Sequence, residues 1–392
     1  MKEAVIVAGA RTPVGKANRG SFKHVRSDDL GAFAVKETLR RAKQVEPEEI
    51  DDCLIGCAMP EAEQGMNMAR NVSVLAGIPQ SVPAVTINRY CASGLQTIAY
   101  GAERIMLGHA KAIIAGGAES MSMIPMGGHV VKPNPTLIDE APEYYMSMGY
   151  TAEEVARQYG ISREDQDAFA VESHKRAAAA LANQRFSDEI VPVPVVEQHF
   201  GSNGTLQSTE RLVEIDEGVR ADTTIAALSK LKPAFQHKGT VTAGNSSQMS
   251  DGAAAVLLMD KQEAEARGLE PLVTFKSFAV AGVAPEVMGV GPIEAIPKAV
   301  RLAGLQLEEI GLFELNEAFA SQALAVIREL GLDYDKVNVN GGAIALGHPL
   351  GCTGTKLTLS LIHEMRRRDE RFGVVTMCIG GGMGAAAVFE RH

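Results

Sequence analysis

The chain contains two stretches with the same layout, and this internal repeat constrains the fold more than any other feature. Each runs from an apolar strand pattern through a turn with a reactive side chain into a helix, a second strand and a run of glycines. In the first stretch the turn carries Cys91 and the helix follows at 94–108. In the second, a strand pattern at 336–340 precedes His348, and the helix follows at 355–367. Strands that alternate with helices predict two related α/β halves packed as layers.

The region between the two halves has a different composition. Segment 191–244 is rich in loop residues and carries a scattered basic cluster, made of Arg220, Lys230, Lys232, His237 and Lys238. Taken alone, this cluster is also typical of a solvated loop surface. We interpret the region as an inserted cap over the two halves. The predicted units are a first α/β half at 1–117 and 249–270, a cap at 118–248, and a second α/β half at 271–392.

Charge and hydropathy exclude several classes of protein. The 392 residues carry a formal net charge of −10, whereas a surface that binds nucleic-acid phosphates would be basic. No apolar run reaches the ~20 residues that cross a bilayer, and the run from Ala4 to Ala10 is too short for a signal peptide. The five cysteines are too few for a secreted disulfide scaffold, so reduced thiols and a cytoplasmic location are expected. Cys53 and Cys57 lack a second ligand pair nearby, and no metal site is predicted.

Cys91 is the first candidate nucleophile. An apolar strand runs directly into Cys91-Ala-Ser-Gly and then into a helical pattern, so the sulfur lies at or just before a helix N-terminus. The positive end of the helix dipole and its free amide hydrogens favour a thiolate there. A lone cysteine is, however, more often part of a core. On this motif alone, nucleophile and core residue are both open.

Three further residues have chemically suggestive surroundings. His348 lies in a glycine-rich segment at 338–354, which indicates a close backbone approach, although such glycines also cradle phosphates. Cys378 ends a buried strand pattern just before three glycines, whose amides could stabilise an oxyanion. Packing is the other interpretation of this thiol. Asn316 precedes a helical pattern, and an isolated asparagine in that position is most often an N-cap.

Together these motifs resemble the thiolase family. The matching segments, in the family's order, are Ala8-Gly-Ala-Arg-Thr-Pro-Val-Gly15, Asn88-x-x-Cys91-Ala-Ser-Gly94, Asn316-Glu-Ala-Phe319, the segment from Asn338 through Gly347-His348-Pro349 to Gly354, and Cys378-x-Gly-Gly-Gly-x-Gly384. The resemblance covers essentially the whole chain. It implies an α/β fold in which two stacked repeats form a five-layered αβαβα core with an inserted loop domain, and it implies a homodimer or homotetramer.

The resemblance also implies a role for each motif. Cys91 would be the acylated nucleophile, and His348 the base that activates it and later activates the coenzyme A thiol. Cys378 would exchange a proton with the acetyl α-carbon. Asn316 would hold a water that forms one oxyanion hole with His348, and the backbone amides of Cys91 and Gly380 would form the other. A thiolate attacks a carbonyl well and leaves well, which suits such a reaction.

Coenzyme A is the implied co-substrate, and no tightly bound cofactor is expected. The resemblance places near it the residues Arg220, Phe235, Ala243, Gly244 and Ser247. Arg220 would meet the nucleotide end, since a cation binds phosphate locally even in an acidic protein. The apolar walls of the pantetheine and acyl tunnel would come from Met148, Met288 and Phe319, for which ordinary core packing is the other interpretation.

One departure from the family bears on the substrate. Biosynthetic acetoacetyl-CoA thiolases usually carry His-Met-Gly where this chain has Ser147-Met148-Gly149. Degradative 3-ketoacyl-CoA thiolases tolerate other residues there. We therefore predict thiolytic cleavage of 3-ketoacyl-CoA in fatty-acid β-oxidation, with acetoacetyl-CoA synthesis as the alternative. A multifunctional β-oxidation enzyme is a candidate partner.

Other classes are less consistent with the sequence. A papain-like protease would not place its groups in the order Cys91, Asn316, His348. Ketoacyl synthases and hydroxymethylglutaryl-CoA synthases would share the fold but lack the second cysteine, Cys378. A catalytically silent lipid carrier of this fold is the non-enzyme alternative, and retention of all four candidate polar groups argues against it.

Overall fold

The computed structural model describes residues 2–200 and 205–392. The strands are β1 (Ala4–Arg11), β2 (Gly15–Lys16), β3 (Asp52–Gly56), β4 (Ala84–Ile87), β5 (Ala112–Ser120), β6 (Val193–Phe200), β7 (Leu206–Val213), β8 (Ser250–Asp260), β9 (Val273–Gly282), β10 (Leu312–Leu315), β11 (Phe372–Ile379) and β12 (Met383–Glu390). The helices are α1 (Ser27–Arg41), α2 (Met68–Leu75), α3 (Ser93–Met106), α4 (Pro135–Glu140), α5 (Met148–Gln158), α6 (Arg163–Ala182), α7 (Ile225–Leu228), α8 (Lys261–Ala266), α9 (Gly291–Leu302), α10 (Ala320–Glu329), α11 (Ala343–Leu346) and α12 (Leu350–Arg368).

All strands except β6 and β7 form one ten-stranded sheet, which narrows at one junction. The part made of β9–β12 is called the second sheet below, and the rest the first sheet. The hydrogen-bonded order is β10-β11-β12-β9-β1-β8-β5-β3-β4, with β2 paired to β8. Strands β1 and β9 join the two sheets through only two residue pairs, Val5 with Thr274 and Ile6 with Val273. Strands β6 and β7 form a separate antiparallel hairpin within the region predicted as a cap.

The buried side chains divide the molecule into five layers. Along β8, Ala254 and Val256 pack into a central core that also contains residues of α3, α12, β11 and β12. Their neighbours Ala255 and Leu257 face the opposite side, against α1 and α2. Beyond the second sheet, α9 and α10 cover its outer face. Strand side chains alternate between the two faces of a sheet, and here both faces of each sheet are buried against helices. The predicted αβαβα architecture is therefore confirmed.

Helices α3 and α12 cross in the central layer at glycines. A Cβ on Gly94 would lie 2.7 Å from the Gly351 carbonyl oxygen, and a Cβ on Gly354 would lie 2.3 Å from the Leu95 nitrogen. Only glycine permits such a close approach of two backbones. The glycines predicted to mark a close approach after His348 therefore bring the starts of the two helices together.

The predicted strand at 336–340 is wrong. Only Val337 bridges to Phe313 of the neighbouring strand. The next residue, Asn338, has a positive φ of 46°, and its side chain takes over the pairing. Its Oδ1 accepts the Leu315 N–H at 2.8 Å and its Nδ2 donates to the Leu315 carbonyl at 2.8 Å. A side-chain amide thus replaces the strand ladder.

The N-cap interpretation of Asn316 is also wrong. This residue follows β10 directly and its N–H donates to the Thr376 carbonyl at 2.9 Å, so it continues the pairing with β11. Helix α10 begins only at Ala320. Within residues 2–200 and 205–392, no helix is long and apolar enough to cross a membrane.

Candidate active site

The turn that carries Cys91 is strained. It links β4 to α3 through one turn of 3-10 helix, Tyr90–Ala92. Tyr90 has a positive φ of 44°, a region that non-glycine residues rarely adopt. The Asn88 side chain holds this conformation, since its Oδ1 accepts the Tyr90 N–H at 2.8 Å. Strain of this kind accumulates where a side chain must be presented in one orientation.

Opposing effects act on the pKa of the half-buried Cys91 thiol. Its sulfur accepts hydrogen bonds from the N–H groups of Gly380 and of Cys91 itself, which lower the thiol pKa. Burial has the larger effect and raises the pKa of Cys91 to about 12, because desolvation disfavours the charged form. The amide hydrogen bonds thus favour the thiolate, as expected, but burial outweighs them in the resting site, and the thiol needs a base.

Cys378 and Gly380 lie opposite this turn. Cys378 lies one residue before the end of β11, opposite Gly384 of β12, and is buried. Burial raises the pKa of the Cys378 thiol above its usual range, and the nearby Cys91 sulfur raises it further. A Cβ on Gly380 would lie 3.6 Å from the Met148 sulfur and 3.9 Å from the Tyr90 ring. The second sheet thus brings a thiol and a backbone amide to the Cys91 turn.

Asn316 and His348 form a buried pair. Asn316 Nδ2 lies 3.3 Å from His348 Nε2. Both residues are at most 5% exposed. Asn316 Oδ1 is buried and has no hydrogen-bond partner among the described residues. A buried amide oxygen left in this way is suited to bind water.

Thr353 fixes the tautomer of His348. The Thr353 hydroxyl donates to the Pro349 carbonyl at 2.9 Å, so it accepts a hydrogen bond from His348 Nδ1 at 2.6 Å. The proton therefore lies on Nδ1, and Nε2 presents a lone pair. Burial lowers the pKa of His348 to about 3, and the positive charge of Lys356 contributes. The imidazole is neutral at physiological pH, so its Nε2 lone pair is available, while burial disfavours the imidazolium that forms when it accepts a proton.

The predicted tunnel walls pack around Cys378. Met288 and Phe319 belong to one apolar cluster with Cys378, and Met148 and Phe235 pack against it. The rings of Phe235 and Phe319 meet edge to face, with centroids 6.0 Å apart. A Cβ on Gly149 would lie 2.1 Å from the Phe235 ring, so the glycine after Met148 is needed for this contact.

The remaining predicted contacts lie farther out. Ser247 is half-buried and donates its N–H to the Ala318 carbonyl at 2.9 Å, one residue before Phe319. Gly244 packs against α7 and its following turn, where a Cβ would lie 2.6 Å from Leu228. Ala243 and Arg220 are exposed. The Arg220 N–H donates to His174 Nδ1 at 3.1 Å, which fixes the backbone and leaves the guanidinium at the surface.

Sequence reasoning missed two residues of the site. The only sequence feature that could have indicated Thr353 is its position in the first turn of the helix that follows His348. Glu119 is 1% exposed and follows the glycine pair at the end of a buried strand pattern. A charged residue in such an apolar run is itself a signal of a structural or functional role, because buried carboxylates require several partners.

Comparison with known proteins identifies the family. The family model for the thiolase N-terminal domain matches residues 4–262, and the model for the thiolase C-terminal domain matches residues 269–391. The chain belongs to the thiolase family. It is therefore an acyltransferase, and the resemblance derived from the sequence motifs is confirmed.

Several relatives of this thiolase span its whole length. The 3-ketoacyl-CoA thiolase of Bacillus subtilis strain 168 is 70% identical over 390 residues, and the alignment covers 100% of this chain and 100% of the relative. The peroxisomal 3-ketoacyl-CoA thiolase 1 of Arabidopsis thaliana is 48% identical, covering 99% of this chain and 88% of the relative. Among solved structures, the Bacillus anthracis acetyl-CoA acetyltransferase has a TM-score of 0.90 at 39% identity, covering 100% of this chain and 99% of that one. Human mitochondrial 3-ketoacyl-CoA thiolase has a TM-score of 0.89 at 38% identity, with the same coverage.

Proposed function

We propose that this thiolase cleaves 3-ketoacyl-CoA with coenzyme A, giving acetyl-CoA and an acyl-CoA shortened by two carbons. The 70% identity to a bacterial 3-ketoacyl-CoA thiolase, against 39% to an acetyl-CoA acetyltransferase of the same fold, supports the degradative reaction. So does Ser147, which replaces the histidine usual in biosynthetic relatives. The product chemistry places the reaction in fatty-acid β-oxidation.

The observation that carries this proposal is the convergence of groups from both halves. The Cys91 sulfur from the first half accepts the Gly380 N–H from the second and lies near Cys378. The Cys91 turn also contacts helix α12, which begins directly after His348-Pro349. A nucleophile, a neutral base and a second thiol at one junction are the groups that acyl transfer through a thioester requires.

In the proposed first half-reaction, His348 Nε2 takes the Cys91 proton and the sulfur attacks the C3 ketone. The negative charge on the ketone oxygen is stabilised by hydrogen-bond donors before the C2–C3 bond breaks. Asn316, through its water, and the amides of Cys91 and Gly380 are our candidates for these donors. The electron pair of the broken bond forms the acetyl-CoA enolate, which Cys378 protonates at carbon.

Before the second half-reaction, the proton that His348 took from Cys91 passes to the Cys378 thiolate, so that both groups return to their starting protonation states. Coenzyme A then enters and its thiol loses a proton to His348. The resulting thiolate attacks the thioester on Cys91, and the shortened acyl-CoA leaves as the Cys91 thiolate is released. That thiolate is reprotonated by His348, so the site returns to its starting state. Product release in two stages predicts ping-pong kinetics.

We propose that segment 118–248 binds coenzyme A. The apolar cluster beside Cys378 would contact pantetheine and acyl chain through Met148, Phe235, Met288 and Phe319. Gly244, Ala243 and Ser247 would lie along the pantetheine arm. The exposed Arg220 guanidinium would meet a phosphate of the nucleotide, since a cation and a phosphate form charge-assisted hydrogen bonds.

We further propose that the chain forms homo-oligomers through β4. This strand ends the sheet order, and Val85 on it is 42% exposed, while Met66 in a nearby loop is fully exposed. An apolar edge strand is a template for a second copy. Sedimentation analysis would detect this, and Val85→Lys should shift the chain toward the monomer. Cytoplasmic location and a multifunctional β-oxidation partner stay predictions.

A turnover assay tests the proposed function. The protein is mixed with coenzyme A and either a four-carbon or a sixteen-carbon 3-ketoacyl-CoA, and loss of the enolate absorbance is followed. We expect turnover with both and faster cleavage of one. Activity restricted to the four-carbon substrate would favour acetoacetyl-CoA chemistry, and no turnover at any length would reject the enzyme in favour of a carrier.

A further inference from the structure

A continuous set of hydrogen bonds links the Cys91 turn to the helix that follows His348. It begins at Asn88, whose Oδ1 accepts the Tyr90 N–H at 2.8 Å and whose Nδ2 donates to the Ala58 carbonyl at 3.1 Å. Ala58 in turn donates its N–H to Glu119 Oε2 at 2.8 Å. One asparagine therefore connects the strained turn of the nucleophile to the loop after β3.

Glu119 completes the connection. The oxygen that accepts the Ala58 N–H also accepts the Gly351 N–H at 2.8 Å. Gly351 lies in the first turn of α12, where N–H groups have no partner within the helix. The other oxygen accepts Gln64 Nε2 at 2.7 Å and the Met59 N–H at 3.2 Å. A carboxylate at the end of β5 thus holds the start of α12 against the loop at 57–59.

The local packing shows how tightly this contact is made. A Cβ on Gly351 would lie 2.8 Å from Glu119 Oε2 and 2.8 Å from the Gly56 carbonyl oxygen. The helix start can approach the carboxylate only because residue 351 is glycine. Burial raises the pKa of Glu119, and its hydrogen bonds oppose that shift. Four N–H donors and the positive end of the α12 dipole all favour the ionised form.

We propose that Asn88 and Glu119 are positioning residues that set the distance between the Cys91 sulfur and the His348 imidazole. The inference rests on the roles proposed above for Cys91 as the nucleophile and His348 as the base. Cys91 lies one residue beyond Tyr90 at one end of the connection. His348 is bound to Thr353, two residues beyond Gly351 at the other end. The two reactive groups come from different halves of the chain, and this connection joins their supporting backbone directly.

Glu119→Gln tests the proposal, because it keeps the shape but presents an NH₂ group to N–H donors. We expect kcat for thiolysis to fall ~10- to 100-fold while KM for coenzyme A changes less than twofold, since a small misplacement of reacting groups acts on the chemical step. The rate at which iodoacetamide alkylates Cys91, followed by peptide mass spectrometry, should fall by a similar factor. That probe needs no thiolase substrate.

Asp260→Ala is the matched control. Asp260 is also a buried carboxylate that holds a helix start, accepting the Gln262 and Glu263 N–H groups of α8 at 3.0 and 3.2 Å. Its loss should lower the melting temperature without changing kcat or the alkylation rate. If Glu119→Gln has the same pattern as this control, the positioning role is refuted.

A double-mutant cycle adds a second criterion. Asn88→Asp keeps the acceptor for Tyr90 and removes the donor to Ala58. If the two residues act through one connection, the double variant should lose about as much kcat as the more impaired of the two single variants. A loss equal to the product of the single effects would overturn the proposal. If the wild-type chain shows no thiolysis while Glu119→Gln still slows alkylation, the proposed function fails and the positioning inference holds.

Discussion

Thr353→Val isolates the contribution of the His348 tautomer. The substitution replaces a hydroxyl with a methyl group of nearly the same shape. It removes the acceptor that lies 2.6 Å from Nδ1, at a residue that is 1% exposed. The Nδ1 proton then has no partner, and the imidazole can carry its proton on Nε2 instead. In that tautomer Nε2 cannot accept the Cys91 proton.

The magnitude follows from the cost of an unpaired buried donor. Such a group costs about 1–3 kcal/mol, which corresponds to a factor of roughly 5 to 150 in the population of the competent tautomer. We therefore expect kcat to fall by about one to two orders of magnitude. The Asn316 amide, which faces Nε2 as a donor at 3.3 Å, opposes the tautomer change and keeps the loss from being larger.

The assay compares Thr353→Val with Thr353→Ser. Serine keeps the hydroxyl and should retain most of the kcat, whereas valine should slow both thiolysis and alkylation of Cys91 by iodoacetamide. Circular dichroism melting establishes that both variants are folded at the assay temperature. A folded valine variant with the wild-type kcat, or a serine variant as slow as the valine one, would refute the tautomer argument.

Four further predictions follow from the same site and its supporting contacts. Because the pKa of Cys91 is raised to about 12, its alkylation rate should rise continuously through about pH 9; a plateau near neutrality would show a preformed thiolate. Cys378→Ala should still accept an acyl group on Cys91 from an acyl-CoA but lose cleavage of 3-ketoacyl-CoA, and unchanged cleavage would remove Cys378 from the mechanism. Gly149→Ala, whose Cβ would lie 2.1 Å from the Phe235 ring, should raise KM for coenzyme A several-fold, and an unchanged KM would show that Phe235 is not a tunnel wall. Gly94→Ala should lower the melting temperature by several degrees, since its Cβ would lie 2.7 Å from a backbone oxygen.

The elements that the sequence predicts well are those defined by local pattern. The turn at Cys91 and the strand that ends at Cys378 were recognisable because an apolar run stops at glycines or at a helix start. The glycines after His348 were correctly interpreted as a sign of close approach. The helix they approach, α3, could not be inferred, because its contact with α12 brings together segments more than 250 residues apart.

The features that sequence analysis missed depend on distant partners. Glu119 acts on Gly351, 232 residues away in the chain, and nothing in its own neighbourhood indicates that pairing. The strand predicted at 336–340 failed because the Asn338 side chain, not the backbone, pairs with Leu315. A thiolate is not favoured at Cys91, because burial outweighs the hydrogen bonds from the backbone amides. Each miss reflects a tertiary contact that overrides a local preference.

Mass spectrometry after brief exposure to a 3-ketoacyl-CoA, without free coenzyme A, tests the central claim most directly. Acyl transfer to the nucleophile predicts an adduct on the peptide that contains Cys91, with the mass of the acyl group shortened by two carbons, and its loss when coenzyme A is added. An adduct on Cys378 would contradict the assignment. So would the absence of any adduct in an enzyme sample that does turn over once coenzyme A is supplied.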